Sequence, residues 1–292
     1  MQKAGKFGLR ATALAGQSVA IKQRVRHGGR YRVKQEQVQT GAGSRLREGL
    51  AAGVQKALHL VYPPRCTICR DMVEDDFALC GTCWRDTPII TGLCCDTCGA
   101  PLPGEDTGRP EHCDDCLTIA RPWSRGRAAL IYRDNGRKLV LALKHGDRQE
   151  VLRPAAIWMH AAAKPLLQSG VDLIAPVPLH WTRLFKRRFN QSALLAHALG
   201  GQADLPVIPD LLIRPKRTRN LDGLSRDDRF AELLQSITPN PRYADWITGQ
   251  RVLIVDDVMT SGATLSAAVQ ATLQAGAEDV QTLTLARVVK DA

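Results

Sequence analysis

The chain has 292 residues, of which 44% are hydrophobic, and its formal net charge is +11. This length holds one large domain or two smaller ones, and no apolar run approaches about eighteen residues, so a membrane-spanning helix is not expected. Residues 1–48 alone carry a net charge of +9, so the basic balance is weak evidence for a nucleic-acid surface on the body of the protein.

The N-terminal extension, residues 1–48, is basic, rich in Gly and Gln and poor in acids, which predicts disorder. A solvated tail is the simplest interpretation, and a nucleic-acid arm, a membrane-surface arm, a transit peptide and an upstream start codon remain alternatives. Helical spacing of Leu and Val over residues 45–61 then predicts a short helix, which Pro63 and Pro64 end.

The nine cysteines are confined to residues 66–116, in a chain without a secretory signal. This clustering favours metal ligation over disulfides, and a reducing, cytoplasmic compartment. Eight of them form C-x-x-C pairs, and two such pairs supply the tetrahedral Cys₄ set of a structural Zn²⁺ site. The sequence therefore predicts two zinc sites, with these ligands: Cys66, Cys69, Cys80, Cys83, Cys95, Cys98, Cys113 and Cys116.

Sequential pairing of these motifs, first with second and third with fourth, is the preferred arrangement, and interleaved pairing stays open. A thioredoxin-like redox pair is the alternative for any single motif, but several motifs in so short a segment favour zinc. Cys94 is expected to pack rather than ligate, and His112 is a weaker substitute ligand. Residues 49–121 thus form a predicted double zinc-ribbon domain with an entry helix, and this domain depends on metal for folding.

Residues 122–292 alternate between strand and helix patterns, which predicts an α/β domain with a Rossmann-like parallel sheet, right-handed crossovers and flanking helices. The predicted strands are residues 127–133, 171–177, 207–213, 252–255 and 280–288. The predicted helices are residues 138–144, 151–167, 191–199, 224–234 and 265–277, and the third of these is expected to end at Gly200 and Gly201.

The most informative stretch is residues 252–265, V-L-I-V-D-D-V-M-T-S-G-A-T-L. The apolar strand is expected to end where Asp256 and Asp257 begin, and ligands of parallel sheets bind beyond the carboxyl ends of the strands. A hydroxyl-rich loop containing Gly262 then enters a helix, where free N–H groups and the helix dipole suit a phosphate. The carboxylates suit hydroxyl groups or Mg²⁺. A ribose 5-phosphate with two free ring hydroxyls satisfies every part of this pattern.

This stretch resembles the phosphoribosyl-pyrophosphate signature of type I phosphoribosyltransferases. The resemblance implies that Asp256 and Asp257 hold the ribose 2- and 3-hydroxyls, with Asp257 also near the reacting carbon, and that Mg²⁺ accompanies the substrate. It implies a 5-phosphate loop made of Val258, Met259, Thr260, Ser261, Gly262, Ala263 and Thr264. The alternative is a buried strand with two solvated carboxylates and an ordinary helix N-terminus.

A second motif, residues 175–191, reads A-P-V-P-L-H-W-T-R-L-F-K-R-R-F-N-Q, a Pro-stiffened turn followed by cations. Guanidinium groups bind phosphate oxygens bidentately, so the cluster suits a diphosphate, although a solvated basic loop is the alternative from this segment alone. The pattern resembles the ComF family, also called the GntX family. The Pro-Pro-x-Cys-x-x-Cys entry, the other cysteine pairs and the L-K-H-G-D segment match it too, so the resemblance covers about residues 55–290.

The family resemblance implies that the P-V-P-L-H turn is placed like a pyrophosphate loop. The pyrophosphate-side candidates are Lys144, Pro178, Leu179, His180, Arg183, Arg187 and Arg188. The chain departs from the family at Arg188, where a Gly is usual. It also departs at Leu221 and Glu232, which replace a Gln and an Asn in a stretch that corresponds to a mobile loop closing over substrate.

The expected function is binding of phosphoribosyl pyrophosphate with Mg²⁺ and transfer of the phosphoribosyl group to an acceptor that the sequence does not identify. A non-catalytic ligand sensor is one alternative, because fold alone does not confer activity. The ComF family is associated with DNA uptake in natural transformation, so a DNA-handling protein that contacts single-stranded DNA or a competence helicase is another. The low aromatic content of 5% offers few stacking platforms for bases.

Overall fold

The structure, a computed structural model, describes residues 62–145, 148–215 and 236–289 and the strands at residues 24–27 and 30–33. The chain divides into two units, Met1–Ser44 and Arg45–Ala292. In the first unit, strands β1 (Arg24–His27) and β2 (Arg30–Val33) pair in antiparallel fashion. The remainder of that unit lies outside the described residues, so disorder of the extension stays a prediction.

The second unit is built around a four-stranded sheet in the order β3-β8-β7-β4, in which every pair is parallel. Its strands are β3 (Gly126–Ile131), β4 (Leu173–Pro176), β7 (Arg251–Met259) and β8 (Asp279–Arg287). A separate antiparallel pair joins β5 (Leu212–Ile213) to β6 (Thr238–Pro239). The predicted α/β class with a parallel sheet is confirmed.

The sheet is covered on both faces by helices. Side chains alternate along β7, so Val252 and Ile254 enter one apolar cluster while Leu253 and Val255 enter the other. The first cluster contains α8 (Ala263–Gln274), and the second contains α4 (Leu152–Ser169) and α6 (Gln191–Ala203). The shorter helices are α1 (Gly81–Arg85), α2 (Asp114–Thr118), α3 (Asp134–His145), α5 (Trp181–Arg187) and α7 (Ala244–Ile247), with 3₁₀ turns at Gln149–Val151 and Pro241–Tyr243.

Several predicted boundaries are wrong. Helix α6 continues through Gly200 and Gly201 to Ala203, and Asp204 is its C-cap. A Cβ at Gly200 would come within 2.4 Å of the Val207 side chain, so this glycine allows close packing and does not end the helix. Strand β7 continues through the acidic pair to Met259, since its neighbour β8 keeps pairing with it to the end. The predicted strand 207–213 shrinks to two residues. The predicted helices 45–61 and 224–234 lie outside the described residues.

The cysteine-rich segment wraps around one edge of the sheet. Between the two pairs of cysteine motifs, Ile90 donates to the carbonyl of Ala129 and Ile131 donates to the carbonyl of Pro88, which pairs this linker with the free edge of β3. Among the described residues, no helix is long and apolar enough to cross a membrane.

Candidate functional site

The acidic pair lies near the carboxyl end of β7 and contacts two neighbouring elements. Asp256 Oδ1 accepts a hydrogen bond from Ser192 Oγ at 2.8 Å and another from the backbone N–H of Asp257 at 2.9 Å. Asp257, which is 8% exposed, forms an ion pair with Lys144 through Oδ2 and Nζ at 3.1 Å. Helices α3 and α6 thus bring one cation and one hydroxyl to the two carboxylates.

The carboxylate of Asp256 has a strongly perturbed titration. Burial and the neighbouring charge of Asp257 raise the pKa of Asp256 to about 7, although Ser192 and Lys144 oppose the rise. A carboxyl group with such a pKa exchanges its proton near neutral pH. Hydroxyl donors or a cation placed beside it would favour its ionised form.

The loop after β7 turns sharply into α8. Gly262 has φ +83°, in the left-handed region that favours glycine, and it is the residue before the first turn of the helix. A Cβ there would come within 2.8 Å of Arg121 Nη1 and of the Met259 side chain. Thr260 is exposed, Ser261 and Thr264 are half-buried, and Val258 packs against the core. Met259 and Ala263 are buried, so they shape the loop rather than offer contacts to a ligand.

The predicted pyrophosphate-side residues follow β4, the strand next to β7. Val177 donates to the carbonyl of Val255 at 2.9 Å, which sets the start of the P-V-P-L-H turn beside the acidic strand. Pro178 is buried and Leu179 half-buried. His180 is 4% exposed, and its Nδ1 accepts from the backbone N–H of Thr182, so it caps α5 instead of facing solvent.

The cations that follow the turn lie on a helix, not on the solvated basic loop of the alternative interpretation. Arg183 and Arg187 belong to α5, and Arg188 ends it with φ +66°, the conformation for which Gly is usual. Arg187 Nη1 donates to Gln191 Oε1 at 3.3 Å. Lys144, one of the predicted cations, is joined directly to the acidic pair.

Two groups of four cysteines meet the requirements of metal sites. In each group the sulfur atoms lie within 4.8 Å of one another, and the groups are Cys66, Cys69, Cys80 and Cys83, then Cys95, Cys98, Cys113 and Cys116. The pairing is therefore sequential. Four thiolates at one point suit tetrahedral Zn²⁺, so both sites are Cys₄ zinc sites. Cys94 belongs to neither group, and His112 Nδ1 bonds to Thr97 Oγ1 at 3.0 Å instead.

The second zinc site docks tightly on the sheet. A Cβ at Gly99 would lie 2.4 Å from the backbone nitrogen of Ala128, so the knuckle lies flush against β3. The carboxylate of Asp96 accepts from Arg125 at 2.8 Å and from Arg127 at 2.5 Å. Burial opposes ionisation of Asp96, but these guanidinium groups hold its pKa below the usual value. Together these contacts fasten the second ribbon to the α/β domain.

Three residues at the site escaped the sequence analysis. Ser192 follows the recognised N-Q dipeptide at the start of α6, and its position beside a helix N-terminus could have suggested it. Arg121 Nη1 donates to the carbonyl of Ser261 at 2.6 Å, and Arg287 Nη1 donates to that of Thr260 at 3.0 Å. Neither arginine lies in a motif, and their proximity to the loop depends on the fold.

Comparison with protein families matches the two halves of this architecture separately. A double zinc ribbon domain model matches residues 57–117, and a phosphoribosyl transferase domain model matches residues 225–291. DNA utilization protein YhgH from Escherichia coli K12 is 30% identical over 79% of this chain and 100% of that protein. Competence protein F from Haemophilus influenzae is 27% identical over 76% and 96%, and competence protein ComFC from Bacillus subtilis is 24% identical over 74% and 87%.

Solved structures similar to the α/β part include a hypoxanthine phosphoribosyltransferase from Trypanosoma cruzi. It is 19% identical, with a TM-score of 0.31 over 48% of this chain and 65% of that one. A glutamine phosphoribosylpyrophosphate amidotransferase from B. subtilis is 18% identical, with a TM-score of 0.31 over 47% of this chain and 27% of that one.

Proposed function

This chain belongs to the ComF family, and from that membership we propose that its phosphoribosyltransferase-like domain binds phosphoribosyl pyrophosphate with Mg²⁺. One observation carries the proposal. The acidic pair near the end of β7 is followed within a few residues by a left-handed glycine that opens α8, so carboxylates and the N-terminal end of a helix lie at the same edge of the sheet. That spacing suits a sugar with ring hydroxyls and a phosphate.

Each part of the site has a proposed role. Asp256 and Asp257 accept hydrogen bonds from the ribose 2- and 3-hydroxyls, replacing the Ser192 hydroxyl and the Lys144 ammonium that now contact them. The loop from Val258 to Thr264 receives the 5-phosphate through backbone N–H groups and the hydroxyls of Thr260, Ser261 and Thr264. Lys144 and the turn at Pro178 to His180 lie on the diphosphate side.

Magnesium fits this set of ligands because both carboxylates offer oxygen atoms, which are the donors that Mg²⁺ prefers. Bound with the substrate, Mg²⁺ would neutralise charge on the diphosphate. Asp256 and Asp257 are the residues that would hold it, directly or through the ribose. The remaining work of the protein is positioning, with Lys144 and Arg187 adding positive charge near the leaving group.

The proposed reaction is displacement of pyrophosphate from C1 of the ribose. A nitrogen nucleophile forms a bond to C1, and the C1–oxygen bond to pyrophosphate breaks, with its electron pair leaving on the pyrophosphate. Positive charge develops on the sugar ring, so carboxylates near C1 stabilise the transition state. No residue of the site identifies the acceptor. A sensor that binds the same ligand without turnover is the alternative function at this site.

Calorimetric titration of phosphoribosyl pyrophosphate with Mg²⁺ into zinc-loaded protein tests the proposal. The wild type should bind, and the double variant Asp256→Asn with Asp257→Asn should lose binding, because neither carboxylate remains for the ribose hydroxyls. Unchanged affinity in that variant would falsify the site. Release of pyrophosphate in the presence of candidate bases or amines then separates an enzyme from a sensor.

A second candidate function, binding of single-stranded DNA, rests on the surface of α5. Trp181 is 69% exposed and Phe185 is 88% exposed, and they lie four residues apart on one face of the helix. The neighbouring Arg183, Arg187 and Arg188 add positive charge. Aromatic faces beside arginines suit stacked bases and a phosphate backbone, and three of the relatives above carry DNA utilization or competence in their names.

Fluorescence anisotropy with a labelled oligothymidylate tests this surface. Trp181→Ala with Phe185→Ala should weaken binding by about tenfold or more, since stacking contributes roughly 1–3 kcal/mol per base. Tyr62→Ala is the matched control, because Tyr62 is an aromatic residue of the first ribbon that is 76% exposed. Equal losses in both variants, or no binding by the wild type, would remove the DNA interpretation of α5.

A further inference from the structure

Two arginines contact the predicted phosphate loop from behind. Arg121 Nη1 donates to the carbonyl of Ser261 at 2.6 Å, and Arg287 Nη1 donates to the carbonyl of Thr260 at 3.0 Å. Two successive carbonyls of the loop therefore point to one side of the loop, toward the protein. A peptide unit whose carbonyl is held in this way has its N–H directed away from the arginine, toward the outer side of the loop.

Arg287 is buried and Arg121 is half-buried, and neither pairs with a carboxylate among the described residues. Arg287 is 3% exposed, and the Nε atoms of both arginines are buried with no hydrogen-bond partner among the described residues. No ion pair in the described part of the chain involves either side chain. The second zinc site lies close enough for the charge of Arg287 to act on Cys98, so its thiolates partly compensate this buried cation. Both arginines still place positive charge behind the loop, where it would stabilise a bound anion.

Arg121 also connects the loop to the second zinc ribbon. Its guanidinium lies 5.6 Å from the ring centroid of Trp123, and Trp123 Nε1 donates to the carbonyl of Thr97 at 2.5 Å. Thr97 lies between Cys95 and Cys98, two ligands of the second zinc site. The side chains of Arg121, Trp123 and Met259 meet around Gly262, where any Cβ would collide with them.

We propose that Arg121 and Arg287 are positioning residues for the 5-phosphate, and that Arg121 makes the second zinc ribbon a structural part of the phosphate site. This inference rests on the proposed function for the identity of the ligand. The arginines fix the loop carbonyls, turn the loop amides outward and add two positive charges behind them. An anionic phosphate bound on the outer side then lies close to both charges without displacing either arginine.

Exchange of backbone hydrogens tests the positioning without any ligand. Arg121→Gln should accelerate amide exchange at Ala263 and Ser266 by about tenfold. Their N–H groups bond to Ser261 Oγ and to the carbonyl of Gly262, and both bonds depend on the loop geometry that the bond from Arg121 to Ser261 holds. Arg251→Gln is the matched control, since Arg251 also donates to a carbonyl, that of Ser169, but at the opposite end of β7. Arg287→Gln is a second variant, with the same expected change in the loop. If it fails to fold, Arg287→Lys replaces it, because lysine keeps the charge.

Ligand titration separates this inference from the proposed function. In Arg121→Gln the affinity for ribose 5-phosphate should fall about tenfold, whereas the affinity for pyrophosphate should stay within about twofold, because the arginine acts on the 5-phosphate alone. Wild-type affinity for ribose 5-phosphate in that variant, or unchanged loop exchange, overturns the inference even if the wild type binds substrate. Faster loop exchange in a protein that binds no phosphoribosyl ligand supports the positioning and overturns the proposed function.

Discussion

The two zinc ribbons have similar ligand sets, but they occupy opposite faces of the sheet. Ile68, Leu79 and Ile89 of the first ribbon pack against the apolar cluster formed with α4 and α6. Cys95 and Cys98 of the second ribbon are buried in the other cluster, beside α8 and Met259 at the end of β7. The linker between them crosses the edge strand β3 on the way.

The ribbons also differ in how firmly they are fastened. The first ribbon exposes Cys69. Its polar links to the α/β domain include bonds from Asn135 to the carbonyl of Cys83 at 3.3 Å and from Arg148 to that of Thr67 at 2.5 Å, and a partly exposed ion pair of Arg70 with Glu150. The second ribbon has two guanidinium groups on Asp96 and the Trp123 hydrogen bond. Two copies of one metal motif therefore have different surroundings: the first packs on the face of the sheet that holds α4 and α6, and the second packs on the face that holds α8.

Removal of both zinc ions should have the largest effect on folding, because it should unfold both ribbons and so remove the difference between them. Chelation is expected to unfold residues 62–118, because small Cys₄ ribbons owe on the order of 10 kcal/mol of folding free energy to their zinc. Circular dichroism and limited proteolysis of chelated and zinc-loaded samples measure this. A chelated sample that keeps its spectrum and its protease resistance would disprove the metal dependence.

The pH dependence of stability is the next largest effect, and it concerns the acidic pair rather than either ribbon. With its pKa raised to about 7, Asp256 contributes stability below its unfolded pKa, and that contribution is lost as the pH rises through 7. As the pH rises from 5.5 to 8, the free energy of unfolding of Asp256→Asn should therefore increase relative to that of the wild type, by on the order of 2 kcal/mol. Urea unfolding at both pH values measures the difference, with the exposed Asp75→Asn as control. A difference in unfolding free energy between variant and wild type that does not change with pH would contradict the assigned pKa.

Loss of one zinc at a time directly compares the ribbons. Cys116→Ser should weaken binding of phosphoribosyl pyrophosphate about tenfold, because the second ribbon loses the geometry that supports Arg121. Cys69→Ser should leave the affinity within about twofold. Metal analysis confirms the loss of one zinc in each variant before calorimetry. Equal affinities in the two variants would show that the ribbons are equivalent for the ligand site.

The ion pairs that hold each ribbon on the α/β domain should give the smallest difference in the free energy of unfolding. Asp96→Ala leaves two guanidinium groups without their carboxylate, and we expect a loss of about 1 kcal/mol after allowance for partial solvent exposure. Glu150→Ala removes the acid that pairs with Arg70 of the first ribbon at 3.5 Å and with Arg148 at 2.9 Å. Both pairs are partly exposed, so the expected loss is within about 0.5 kcal/mol. Urea unfolding with excess zinc measures both. A larger loss in Glu150→Ala would reverse the proposed order.

Much of the fold and of the zinc centres could be predicted because their signals are local. The C-x-x-C turns place their own sulfurs, and the alternating strand and helix patterns predict the parallel sheet. The acidic pair and the glycine of the phosphate loop lie in one short stretch, so their shared position at a strand end was also predictable. The prediction failed at Gly200, which packs against Val207 instead of ending α6, because a glycine has the same local signature in either role.

The sequence by itself determined the metal chemistry, the class of fold and the stretch that carries the acidic pair, since each depends on residues a few positions apart. Tertiary structure alone decided which face each ribbon covers and which side chains complete the site. Ser192 is 64 residues from Asp256, and Arg121 is 140 residues from Ser261. Contacts over such separations arise from the order of strands in the sheet and the path of the linker around its edge, which no local pattern encodes.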